Sequence, residues 1–188
     1  MSITKQELYD RVSDRVELKS LDVARNLSEE TLAFTATIYV DGDVAGRAKN
    51  RGRGGATMLT AFVDRRGGGD PTRKENIDAL RDIASDLPEV ETRYGTMEYT
   101  AEALVDFLAT WEDVMRDARR YTKNGKGVFR PAEQTAPDFR YGDLHGESLS
   151  AFLIAIDRSN PDMEITHAFK DGEWKRVSEI SEDGVTYR

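Results

Sequence analysis

Residues Thr31–Thr57, TLAFTATIYVDGDVAGRAKNRGRGGAT, decide the fold class. Leu32, Phe34, Ala36, Ile38 and Val40 alternate with Thr31, Ala33, Thr35, Thr37 and Tyr39, which is the period-two pattern of a strand with one buried face. Asp41-Gly42 follows. That dipeptide suits a two-residue hairpin turn, because both positions need positive φ and Gly adopts it without steric cost. The chain is therefore expected to return antiparallel over Asp43–Asn50, with Val44, Gly46 and Ala48 on one face and Ala45, Arg47 and Lys49 on the other. Arg51-Gly52-Arg53-Gly54-Gly55 is too rich in glycine to continue a strand cheaply. It predicts a basic loop.

Upstream, Ser2 is placed to cap a short amphipathic segment built on Leu8 and Val12. Val16–Arg25 has no clean period, but the turn-like Asn26–Glu30 before the strong strand predicts an extended segment and a three-strand meander from Val16 to Asn50. Downstream, Ala56–Val63 is apolar and fits a strand or a short helix, and Gly67–Thr72 is a break. Thr72 is placed to cap a helix with Ile77, Leu80, Ile83 and Ala84 on one stripe, ending near Leu87-Pro88. Arg93–Tyr99 reads as turn-rich. From Thr100 onward, Leu104, Phe107, Leu108, Trp111, Val114, Met115 and Ala118 recur at helical spacing, so a long helix is expected to lie across the sheet. Val128–Gly146 reads as a long connection held down by Phe129, Phe139 and Tyr141; Leu149–Ile156 fits helix or buried strand; Met163–Phe169 and Trp174–Ile180, either side of Lys170–Glu173, read as a closing hairpin. The expected fold is α+β: an antiparallel meander packed by two main helices, with a C-terminal β-hairpin. One domain over 1–188 is expected, with sub-modules at 1–65, 72–127 and 128–188.

Of the 188 residues, 38% are hydrophobic and 33% charged, and no apolar run approaches the roughly 18 residues of a membrane span. No signal-peptide pattern is visible, so a soluble, cytoplasmic protein with no membrane partner is expected. With no Cys and two His, a thiolate metal site is excluded, and no metal or cofactor is expected. The formal charge of −8 opposes non-specific wrapping of nucleic acid unless basic residues cluster. Between Arg47 and Lys74 they do: eight cations stand against Asp64 and Asp70.

Leu27-Ser28-Glu29-Glu30-Thr31, then Phe34, Ala36, Tyr39, Asp41-Gly42, Asn50, Gly52 and Gly54-Gly55 resemble a segment of small uncharacterised proteins carried by phages and other mobile elements. The resemblance covers residues 27–55 and implies an accessory role in a bacterial or archaeal cell. It brings no catalytic residues.

The basic loop lacks the Lys-Ser/Thr ending of a P-loop and the glycine spacing of the dinucleotide fingerprint. It fits a looser anion nest, in which glycine N–H groups and the arginines hold phosphate or carboxylate; the alternatives are a structural turn and a partner-facing loop. The candidate ligand or partner residues are Arg47, Lys49, Asn50, Arg51, Gly52, Arg53, Gly54 and Gly55. Asp143-Leu144-His145-Gly146-Glu147 holds acid/base groups, but a metal site there needs His167 brought in by the fold, and the segment reads first as a surface loop. No Gly-x-Ser-x-Gly nucleophile elbow is present. The expected function is a non-enzymatic accessory binding protein that acts on a host protein or sequesters a small anionic ligand through the basic loop. The alternative is a phosphate-ester hydrolase or transferase using the same loop, and the third reading is nucleic-acid binding by the segment 47–74. An exposed sheet edge is compatible with a homo-oligomer.

Overall fold

The computed structural model describes residues 5–61, 71–92, 95–131, 139–160 and 162–180, with only the backbone described for 71–74, 90–92, 95–97 and 179. The chain divides into two compact units, Met1–Trp111 and Glu112–Arg188. The division falls inside a long helix rather than at the composition boundaries near 65, 72 and 127.

Unit 1 opens with α1 (Lys5–Val12), whose Leu8 and Val12 are buried; the cap read at Ser2 lies outside the described residues. A four-stranded antiparallel sheet follows in the order β1 (Val16–Val23), β2 (Ala33–Val40), β3 (Asp43–Arg51), β4 (Met58–Ala61). The meander expected over Val16–Asn50 is present, and Ala56–Val63 contributes its fourth strand. Val40 pairs with Asp43 across a two-residue turn in which Asp41 and Gly42 have φ of 49° and 89°. Both central residues are thus left-handed, as the strand twist requires. Arg15 grips the same turn: its Nε and Nη2 donate to the two Asp41 carboxylate oxygens at 2.9 and 2.8 Å.

One face of this sheet carries Phe34, Ala36, Ile38, Val40 and Ala48 into a core shared with α2 (Pro71–Ser85) and α3 (Ala101–Lys123). The helix read from Thr72 starts one residue earlier, with Pro71 at its first position, where a missing N–H costs nothing. Thr100 caps α3, its Oγ1 accepting from the Ala103 N–H at 3.2 Å. Two small residues depart from strict alternation. Ala33 is 3% exposed and Ala45 fully buried; at Ala45 the register skips, with Ile38 opposite Gly46 and Tyr39 opposite Val44, so a bulge turns its methyl inward. Residues read as turn-rich at Arg93–Tyr99 take part in a small hairpin of β5 (Val90–Thr92) and β6 (Gly95–Met97), while 93 and 94 lie outside the described residues.

Unit 2 holds a second antiparallel sheet in the order β10-β9-β7-β8, from β7 (Lys126–Pro131), β8 (Arg140–Asp143), β9 (Ile165–Lys170) and β10 (Glu173–Arg176). Val128–Gly146 is therefore not a long connection: its two ends pair as strands, Gly127 opposite Gly142. Those facing glycines leave room for Phe152, whose ring occupies the space where side chains would stand. Phe152 lies on α4 (Leu149–Ser159), so the ambiguous apolar run 149–156 is helix, capped by Ser148. The β9–β10 hairpin appears where the pattern placed it, but its second arm is a strand only to Arg176; Val177–Ile180 is α5, which turns Val177 and Ile180 into the core. Buried Arg130 stacks 3.7 Å from the Trp174 ring centroid.

Ile38 is fully buried while Thr37 on the same strand faces outward. Ile38→Ala should lower unfolding free energy by about 2–5 kcal/mol and Thr37→Ala by less than about 0.5 kcal/mol, as read by chemical denaturation.

Candidate basic cleft

The alternation that makes β3 a strand runs on into the loop. Arg47, Lys49, Arg51 and Arg53 are exposed, whereas Ala48, Asn50 and Gly52 between them are buried. Strand residues two apart rise about 6.8 Å together, so the first three cations form a row on the solvent face, flanked by Thr35 and Thr37 of β2 and by Met58 and Thr60 of β4. Among the described residues, Lys49, Arg51 and Arg53 have no carboxylate at ion-pair distance.

Asn50 explains why the loop leaves the strand as it does. It is 4% exposed, and its Oδ1 accepts from the Gly52 N–H at 2.8 Å and from Thr31 Oγ1 at 3.1 Å. Its Nδ2 donates to the Gly55 carbonyl at 3.3 Å, to Thr57 Oγ1 at 3.0 Å and to Asp106 Oδ1 at 3.2 Å. Asp106 belongs to α3 and also accepts a short hydrogen bond from the Thr57 hydroxyl. One amide thus closes the loop on itself and ties it to a helix 56 residues away. The Gly52 carbonyl accepts from the N–H groups of Glu29 and Glu30 at 2.9 and 3.0 Å. Gly52 has φ of 80°, and a Cβ there would collide with the Leu27 carbonyl oxygen. Only glycine fits.

The eight residues singled out from the sequence therefore separate into two groups. Arg47, Lys49, Arg51 and Arg53 present charge outward. Asn50 and Gly52 spend their polar groups on the loop itself, Gly55 gives its carbonyl to Asn50, and Gly54, with φ of 74°, lies against the Glu30 side chain. The Gly52 N–H is consumed internally, so it offers nothing to an anion nest. Asp106 and Thr57 were not read as part of this loop. At separations of 56 and seven residues from Asn50, no local spacing ties them to it.

Burial holds the Asp106 carboxyl above its usual range, with Glu102 adding to the effect and the hydrogen bonds from Thr57 and Asn50 opposing it. Two clefts open on the solvent face of the sheet. One, of about 430 Å³, is lined by Lys49, Arg51 and Arg53 together with Asp22, Leu27 and Glu29. The other, of about 630 Å³, meets it at Thr35 and Lys49 and reaches Arg47, Met58 and Thr60.

The acid/base candidates lie in unit 2. Asp143 pairs with Lys126, which holds its carboxyl below the usual range. His145 has φ of 50° in an exposed turn with Gly146. No group of three or more His, Cys, Asp or Glu able to hold a metal occurs among the described residues, and none of the described helices is long and apolar enough to cross a membrane. Comparison with protein-family models, curated proteins and solved structures gives no match.

Asn50→Ala strands the Gly52 N–H and leaves the Asp106 carboxyl with only its Thr57 hydrogen bond of the two, so it should cost about 1–3 kcal/mol of stability. A pH series tests Asp106. Its carboxyl is raised in the folded state, so its stabilising contribution is complete below the unfolded value, about 3.9, and is lost as pH rises through the folded value. The wild type should lose stability relative to Asp106→Asn as pH rises above about 4; parallel profiles would contradict the assignment.

Proposed function

We propose that this is a non-enzymatic binding protein that captures an anionic ligand or partner on the cationic row of β3 and its loop. The observation that carries the reading is the exposure of Lys49, Arg51 and Arg53 on one face, without a carboxylate partner among the described residues, in a chain of net charge −8. Clustering unpaired cations raises the local free energy of the unliganded state, and an arriving anion lowers it. Arginine adds geometric fit, because its planar guanidinium donates two parallel hydrogen bonds to a phosphate or carboxylate.

The scaffold supports the same reading. Asn50, Gly52 and Asp106 hold the loop from behind, so Arg51 and Arg53 are presented from a backbone already ordered before binding, which reduces the entropy cost of capture. The resemblance of residues 27–55 to mobile-element proteins supports an accessory role in a bacterial or archaeal cell.

Pyrophosphate titrated calorimetrically into the wild type should bind, and Arg51→Ala/Arg53→Ala should abolish that binding while thermal stability stays near wild type, since both side chains are exposed. A large loss of stability with binding unchanged would assign the arginines to the architecture instead.

A further inference from the structure

The cleft that carries Lys49, Arg51 and Arg53 is not uniformly basic. Asp22 and Glu29 also line it, and Leu27, at 54% exposure, supplies an apolar wall. Among the described residues neither carboxylate has an ion-pair partner. For Asp22 the sheet register accounts for this. Asp22 pairs with Thr35, and Thr35 pairs with Lys49, so the three form one row across β1, β2 and β3. Two strand spacings of about 4.8 Å place the Asp22 and Lys49 backbones roughly 10 Å apart. The two charges face one cleft with the Thr35 hydroxyl between them. Opposite charges kept apart by the fold suit a ligand with two chemically different ends.

Resting on the anion-binding reading above, we propose that the cleft takes a nucleotide. Three cations at one end suit a phosphate group with more than one negative charge. The Asp22 carboxylate, two strands away, acts as a hydrogen-bond acceptor, and a sugar diol or an exocyclic amine supplies the donor it lacks. A volume of about 430 Å³ lies in the range of pockets that enclose such a molecule. A long polyanion fits less well, since phosphates crossing from Lys49 toward β1 would meet Asp22. An inorganic anion would use only one end.

The Asp22 carboxylate gives a test whose sign differs between readings. ADP and pyrophosphate are titrated into the full chain, and into Asp22→Asn and Lys49→Ala, with thermal unfolding as a check on folding. The nucleotide reading expects ADP to bind at least about tenfold more tightly than pyrophosphate. It expects the acid-removing variant to weaken ADP while pyrophosphate binding holds or strengthens, and Lys49→Ala to weaken both. If removal of the acid strengthens both ligands alike, or ADP binds no better than pyrophosphate, the nucleotide inference falls and the anion site stands. If neither ligand binds the wild type, both fall. A dT12 oligonucleotide that binds more tightly than ADP, with affinity falling steeply in salt, overturns the inference in favour of a linear polyanion.

Discussion

The amide of Asn50 is the constraint on which the first unit's surface depends. It sits where a regular strand becomes a glycine loop, and it replaces the ladder that ends there with bonds to Gly52, Gly55, Thr31, Thr57 and Asp106. A buried amide with two acceptor lone pairs and two donor hydrogens can be fully used only if its surroundings are built for it. The loop meets that condition: a backbone N–H faces the oxygen, while a carbonyl and a carboxylate face the nitrogen. The partners come from the loop and its exit, from Thr31 just before β2 and from α3, so satisfying one side chain fixes the mutual positions of these segments within the unit.

That arrangement separates two roles within six consecutive residues. Even-numbered positions 48, 50 and 52 face inward and hold the loop; odd-numbered positions 49, 51 and 53 face outward and carry charge. Glycine at 52 is the hinge between the roles, since its positive φ lets Arg53 line the same cleft as Lys49 and Arg51. Asp106 contributes from behind the surface. It stands half-buried with its carboxyl above the usual range because burial costs more than its hydrogen bonds return.

Much of the first sheet was legible in the sequence because it rests on local rules. The Asp41-Gly42 turn, the alternation from Leu32 to Val40 and the stripe from Leu104 to Met115 each express a period or a φ requirement that no distant contact modifies. What escaped has long-range causes. The burial of Ala45 comes from a bulge that one strand cannot announce. Val128–Gly146 looked like a connection because its strands are short and interrupted, and their pairing depends on Gly127 and Gly142 making room for Phe152 on α4. The basic loop itself was visible as a composition, whereas its division into scaffold and charge was not, since nothing near Asn50 in sequence names Asp106.

The account's central claim is the location of anion binding, and amide chemical shifts in a 15N-labelled sample titrated with pyrophosphate test it most directly. Shifts concentrated at Thr35 and Lys49–Arg53, saturating together, are the predicted result. A titration that moves amides in unit 2, or shifts none in β3 and its loop, would contradict it.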